Sequence, residues 1–314
     1  MRPTPGPAAR LRRTALALVL PLAATACADT GPGAGGPAAE VADPPPAPGE
    51  LPGPWAAAVD RIEAEYGGRM GVALALPGGS AARAGDLDGG PAWSTSKVPL
   101  AVATVRREGA VGPLVESTLT WSDNEGAEAL WEGLGGWAAA GAAVDEVLRD
   151  GGDEVTRFAE DDATGASIPF GLTPWTLADQ AVFGANLPCI DGGEVVSQVM
   201  GEVVDDQRYG LGEVPGARFK GGWSPDDDGA YFVRQFGLLP ARDPGPAAGG
   251  AGGPARPSRA GDYPDYRAEP LPRSFVGVAV AVRPGDGEYG TAMAMLDELA
   301  EVIAAHPATG GACR

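Results

Sequence analysis

Trp55, Val59, Ile62 and Tyr66 recur at helical spacing, which predicts a helix starting near Trp55 and ended by Gly67-Gly68. Met70 to Leu76 is a nearly unbroken apolar run, the pattern of a buried strand, closed by Pro77-Gly78-Gly79. A helix is expected from Ser94. Beyond it, Ala127, Leu130, Trp131 and Leu134 share one helical face, and Gly135-Gly136 stops the run. An Ala-rich helix follows from Ala138 to Leu148, and another from Thr176 to Phe183. After Arg218 the pattern turns to strands. Lys220 to Trp223 and Tyr231 to Leu239 flank Ser224-Pro225-Asp226-Asp227-Asp228-Gly229, a hairpin turn whose acidic spacing is wrong for a calcium loop. Phe275 to Val282 reads as a buried strand and Thr291 to His306 as a closing amphipathic helix. This order of elements predicts an α+β fold, with an antiparallel sheet flanked by helices and an all-helical lobe over about 97–214.

The ends of this pattern carry other information. Arg10, Arg12 and Arg13 precede a short apolar stretch, Thr14 to Ala26, ending in small residues, so residues 1–26 read as an export signal. Cys27 follows directly and is a candidate lipidation site, with ordinary cleavage at the same bond as the alternative. Residues 27–54 are rich in Gly, Pro and Ala and read as a tether, leaving 55–314 as the folded domain. Residues 240–273 have a similar composition and read as a flexible insertion. The expected location is therefore outside the cell, anchored by lipid on the outer face of the membrane, or secreted.

The chain carries a formal charge of −19, and loss of residues 1–26 removes four arginines and no acid, giving −23. Such a charge argues against nucleic acid and anionic surfaces as partners. His306 is the only histidine and sits at a predicted helix end, so histidine triads and histidine-rich metal sites are excluded. Nothing else in the sequence implies a metal or a cofactor. Cys189 and Cys313 either form a disulfide or leave Cys189 as a buried thiol.

Lysine is the informative rarity. Lys97 and Lys220 are the only two, against 21 arginines, and both lie in short polar motifs. Arginine cannot give up its proton near neutral pH, whereas a buried lysine can. Ser94 and Lys97 are three apart at a helix start, the position that Pro99 dictates because it lacks an N–H. There the free N–H groups favour negative charge near the serine oxygen. Lowering a lysine pKa towards 7 takes roughly 4 to 5 kcal/mol of desolvation and like-charge repulsion, which Lys220 would help supply. Taken singly, Ser122-Asp123-Asn124 is also a good helix N-cap, and Lys220-Gly221-Gly222 a strand-edge kink.

Together, Ser94-Thr95-Ser96-Lys97, Ser122-Asp123-Asn124 and Lys220-Gly221-Gly222 resemble the Ser-x-x-Lys, Ser-Asp-Asn and Lys-Thr-Gly motifs of the class A β-lactamase and penicillin-binding-protein superfamily of serine hydrolases. Leu134-Gly135-Gly136, Gly152 to Arg157 and Thr173-Pro174 opening the next helix extend the likeness over about 55–306. The resemblance implies an acyl-enzyme at Ser94, with Lys97 as base and Ser122 relaying a proton to the leaving nitrogen. Asn124 would hold a substrate amide, Lys220 would set a positive field, and the N–H groups of Ser94 and Trp223 would form an oxyanion hole. Gly221 and Gly222 would line the substrate site. Its implied partner is a small amide or ester, either a β-lactam or a peptidoglycan-like molecule. The chain also departs from the family. Gly221 stands where a threonine helps grip a substrate carboxylate, and Ser94 and Ser122 are only 28 residues apart, which implies a shortened lobe. The omega loop between Arg157 and Pro174 is short, with Glu160 its only glutamate and so the only candidate for activating the deacylating water. Alternatives are a peptidase- or esterase-like enzyme on wall-type substrates, or a non-catalytic binding lipoprotein on the same fold.

Overall fold

The computed structural model describes residues 47, 49–158, 169–243 and 270–313. The export signal, Cys27, most of the tether, Glu160 and most of the 240–273 insertion lie outside the described residues. In chain order the elements begin with α1 (Gly53–Tyr66), β1 (Gly68–Ala75), β2 (Ala81–Ala84) and β3 (Gly89–Pro91). A 3₁₀ turn, Trp93–Ser96, leads into α2 (Lys97–Glu108), α3 (Pro113–Thr120), α4 (Asn124–Gly133) and α5 (Trp137–Asp150). Then come β4 (Pro174–Thr176), α6 (Leu177–Asn186), α7 (Gly193–Val199), β5 (Arg218–Pro225), β6 (Tyr231–Pro240), β7 (Phe275–Pro284) and α8 (Tyr289–Ala305).

Five strands form one antiparallel sheet in the order β2-β1-β7-β6-β5, and β3 pairs with β4 in a separate two-stranded ladder. The period of two along each strand sends alternate side chains to opposite faces. On β7, Val276, Val278, Val280 and Val282 join Ile62 of α1 and Leu296 and Leu299 of α8 in one core. Ala279 and Ala281 face the other core, built with α2 and α6. Helices cover both faces, which is why β1 and β7 read as apolar runs and not as alternating ones.

The second face is small for a reason. A Cβ at Gly277 would lie 2.3 Å from the carbonyl oxygen of Ala181 and 2.2 Å from the amide nitrogen of Ala185, so α6 packs with its backbone almost on the sheet. Helix α6 thereby packs directly on β7 and β1.

Several expectations shift by a few residues. The helix expected from Ser94 starts at Lys97, behind the 3₁₀ turn, and Pro99 is its third residue, where a missing N–H is harmless. Thr173-Pro174 opens β4 and not a helix; α6 begins at Leu177 with Thr176 as N-cap, its Oγ1 accepting from the Asp179 N–H at 3.0 Å. The hairpin is as expected, but β5 runs through Ser224 and Pro225, and the turn is closed by Asp226, whose Oδ1 accepts from the Asp228 and Ala230 N–H groups. His306 caps the end of α8, as expected, and its carbonyl accepts from Trp55 Nε1 at 2.9 Å. No helix among the described residues is long and apolar enough to cross a membrane.

Cys189, in the turn after α6, is bridged to Cys313 near the C-terminus, with Cα atoms 5.3 Å apart and a sequence separation of 124. That settles the alternative the sequence left open. A loop of this length loses much entropy in the unfolded chain when closed, so replacing both cysteines by serine is expected to cost about 3–5 kcal/mol. Urea unfolding of the oxidised protein against Cys189→Ser/Cys313→Ser, at matched m-values, measures it.

Candidate active site

The nucleophile candidate sits on a strained turn. Trp93 has φ +46° and Ser122 has φ +58°, and these are the only non-glycine residues with positive φ among the described residues. Such conformations cost on the order of 1–3 kcal/mol each and persist only where the surroundings impose them. Around Trp93 the constraints are plain. The Ala92 N–H donates to the Thr173 carbonyl at 2.8 Å, the Thr95 N–H to the Ala92 carbonyl at 3.1 Å, and Ser96 Oγ to the Trp93 carbonyl at 2.6 Å. Ser94 is left half-buried, and among the described residues nothing hydrogen-bonds its hydroxyl.

Ser122 is imposed from the other side. Asp123 caps α4, accepting from the Gly126 N–H at 3.0 Å and from Ser117 Oγ at 3.0 Å. These bonds, the Gly126 amide first, hold the Asp123 carboxyl below its ordinary value. The bland N-cap reading of Ser122-Asp123-Asn124 is thus true of Asp123, and the same cap aims the residues on either side of it at Lys97. Lys97 Nζ donates to the Ser122 carbonyl at 2.6 Å and to Asn124 Oδ1 at 2.6 Å, and lies 3.3 Å from Ser122 Oγ. Lys220 Nζ, arriving from β5, donates to the same Ser122 Oγ at 2.9 Å and to the Gly221 carbonyl at 2.9 Å. Residues 97 and 220 therefore meet at one hydroxyl, although 123 positions separate them.

Both lysines are 1 % exposed, and among the described residues neither has a carboxylate within ion-pair distance. Burial lowers Lys97 to about 8, against a smaller opposite pull from Asp123. Burial also pushes Lys220 well below its ordinary value, and the Lys97 charge adds to that depression. The sequence predicts desolvation together with repulsion from Lys220 as the causes at Lys97. Desolvation leads for both lysines, because each ammonium has lost its water without a carboxylate at ion-pair distance among the described residues.

Strand β5 completes the arrangement. The Asp226 N–H bonds the Ala230 carbonyl at 2.9 Å, and counting back by two along the β5–β6 register puts Ser224 and Gly222 in hydrogen-bonded positions. The N–H groups of Trp223 and Gly221 then point off the open edge, as that of Phe219 does in donating to the Met200 carbonyl at 3.1 Å. Gly222 is packed against the turn that carries Ser94: a Cβ there would lie 2.8 Å from the Ser94 amide nitrogen. Gly221 has room, since its nearest neighbour is the Trp223 ring, with Cζ3 at 3.6 Å. Ser94, Lys97, Ser122, Asn124, Lys220, Gly222 and Trp223 are thus one constellation, with Gly221 on its edge. Among the described residues no group of His, Cys, Asp and Glu could hold a metal.

The sequence did not single out Thr95, Gln180 or Arg234, which lie fully buried behind this turn. The one available signal was an arginine inside the apolar run Tyr231 to Leu239.

No protein-family model matches the chain, and no curated protein does. Solved structures do. A class A β-lactamase from Mycobacterium abscessus is 18% identical over 79% of this chain and 97% of that one, with a TM-score of 0.52. A β-lactamase from Burkholderia vietnamiensis is 18% identical over 80% and 95%, TM-score 0.52, and an ancestral class A β-lactamase 20% identical over 79% and 98%, TM-score 0.51. The protein has the class A β-lactamase fold.

A buried lysine with a lowered pKa also leaves a mark on stability. The unfolded chain holds the Lys97 proton up to its ordinary 10.5, the folded chain only to about 8. Between these values the unfolded state binds more protons, so stability rises with pH through the window and the penalty is fully present below it. Lys97→Met removes that penalty. Its stability relative to the parent is expected to be more favourable at pH 7 than at pH 10.5, a difference readable by thermal melts at the two pH values.

Proposed function

We propose that this chain is a serine hydrolase that forms an acyl-enzyme at Ser94 on a small amide or ester. The observation that carries the reading is the convergence of two buried lysines without carboxylates on Ser122, beside a strained turn that offers a free serine hydroxyl. Neutral Lys97 has two N–H donors and one lone pair. The Ser122 carbonyl and Asn124 Oδ1, both at 2.6 Å, use the donors, so the lone pair is free to take a proton. In the proposed mechanism Ser94 Oγ attacks the substrate carbonyl as its proton passes to Lys97. The oxyanion forms against the Ser94 and Trp223 N–H groups. The proton then moves from Lys97 through Ser122 to the leaving nitrogen or oxygen as that bond breaks, and water later releases the acyl group.

β-Lactams are the leading substrate class, on the strength of the fold and the motif order. Gly221 favours a second reading, an esterase- or peptidase-like enzyme on wall-type substrates, because glycine has no hydroxyl to offer a substrate carboxylate. We also propose export, with a lipid on Cys27, on the charge and apolar pattern of residues 1–27; the Cys189–Cys313 bridge suits an oxidising compartment.

The test is intact mass of the domain after exposure to a fluorescent penicillin, a chromogenic cephalosporin and an activated ester, with Ser94→Ala as control. An adduct or turnover that Ser94→Ala abolishes supports the reading; no adduct and no turnover with any probe overturns it. A stable penicillin adduct without turnover would favour the second reading. The acylation rate is expected to fall as pH drops through about 8, where Lys97 gains its proton, and Lys97→Arg to lose about 100-fold or more.

A further inference from the structure

Arg234, on β6, is fully buried and has no carboxylate partner among the described residues. Burying a cation this way is expensive, and an apolar residue of similar volume would serve stability as well or better. Each of its three nitrogens nonetheless has an acceptor. Nη1 reaches the carbonyls of Gly90 at 2.9 Å, Pro91 at 3.1 Å and Trp175 at 3.1 Å; Nε and Nη2 both reach Gln180 Oε1, at 3.2 and 2.6 Å. The guanidinium thus ties β3, β4 and α6 together using acceptors only.

Gln180 continues the chain. Its Nε2 donates to Thr95 Oγ1 at 3.0 Å, and Thr95 Oγ1 donates in turn to the Ala92 carbonyl. Because Arg234 claims the amide oxygen, Gln180 can present only its N–H₂ to Thr95, and Thr95 can only pass its proton on to Ala92. Every polarity in the line Arg234–Gln180–Thr95–Ala92 is set by the charge at its head. Ala92 and Thr95 bracket Trp93 and Ser94, the residue with φ +46° and the nucleophile it presents. Gly90 and Pro91, which Arg234 also grips, are the residues that lead into that turn.

We propose that Arg234, Gln180 and Thr95 are positioning residues for Ser94, a buried hydrogen-bond relay that holds the strained turn in the geometry needed for acylation. The proposal rests on the reading of Ser94 as nucleophile, and the relay itself can be tested without it.

Arg234→Met would also strip the donor from the carbonyls of Gly90, Pro91 and Trp175, so the variant that isolates the relay is Gln180→Glu. It is isosteric, keeps the acceptor and gives Arg234 a carboxylate, but deletes the donor to Thr95. Thr95→Val deletes the other end. Either variant is expected to leave the melting temperature near that of the parent while hydrogen exchange quickens in the peptide spanning 92–97. With the probe that labels Ser94, the acylation step should fall about tenfold or more with the binding constant unchanged. The double variant should lose no more than the worse single one, because both cut the same line. Parent-like exchange and acylation in both single variants would overturn the proposal. So would additive losses, or a general rise in exchange over the whole chain, which would mark the residues as merely structural. If no probe acylates the parent, the reading of Ser94 fails, and exchange over 92–97 still decides the relay.

Discussion

Two ammonium groups share one serine hydroxyl at the centre of this protein, and no carboxylate among the described residues stands beside them. Water gives a lysine several kilocalories per mole that burial takes away, and an ion pair is the usual replacement. Here the replacement is a set of carbonyl, amide and hydroxyl acceptors, so the site relieves the cost by letting go of protons. The Ser122 oxygen has two lone pairs and a single hydrogen, and lysine nitrogens approach it from two sides. The charge on Lys97 therefore bears directly on Lys220 and adds to the depression that burial causes there. Proton transfer across such a centre needs little rearrangement.

The rest of the fold can be understood as the frame that brings these groups together and keeps them there. Lys97 comes from the first residue of α2, Ser122 and Asn124 from the start of α4, and Lys220 from an edge strand on the far side of the chain. Each arrives through a specific local device: a 3₁₀ turn, an aspartate N-cap, and a glycine that lets β5 touch the Ser94 amide. The small face of β7 brings α6 close to the sheet, and α6 carries Gln180 beneath the turn of Trp93 and Ser94. Packing, in this sense, is upstream of the chemistry.

Much of this was legible in the sequence because the signals were redundant. Trp55, Val59, Ile62 and Tyr66 lie on α1, and Met70 to Leu76 covers most of β1, because apolar periodicity and glycine punctuation agreed there. The lysines stood out because the chain otherwise spells positive charge as arginine. What stayed hidden lacked a period. Ala81–Ala84 is half-exposed and built of Ala and Arg, β3 is Gly-Gly-Pro, and α3 and α7 are eight and seven residues long, too short for a helical repeat to register. The relay behind Ser94 was invisible for a different cause. Its bonds join residues 85 and 54 positions apart, and no local pattern reports such a pairing.

The two left-handed residues show what that hidden part accomplishes. Glycine would adopt φ near +50° without cost, yet Trp93 and Ser122 occupy these positions. At Ser122 the side chain itself is needed between the lysines, so the strain is the cost of having a hydroxyl there at all. At Trp93 the strain sets the direction of the next residue. The turn is held by Thr173 just before β4, Gly222 on β5 and Gln180 beneath, and it leaves Ser94 half-buried ahead of α2, with no hydrogen bond to its hydroxyl among the described residues. A serine hydroxyl that none of the described residues satisfies is one for which an outside carbonyl would be the best available partner.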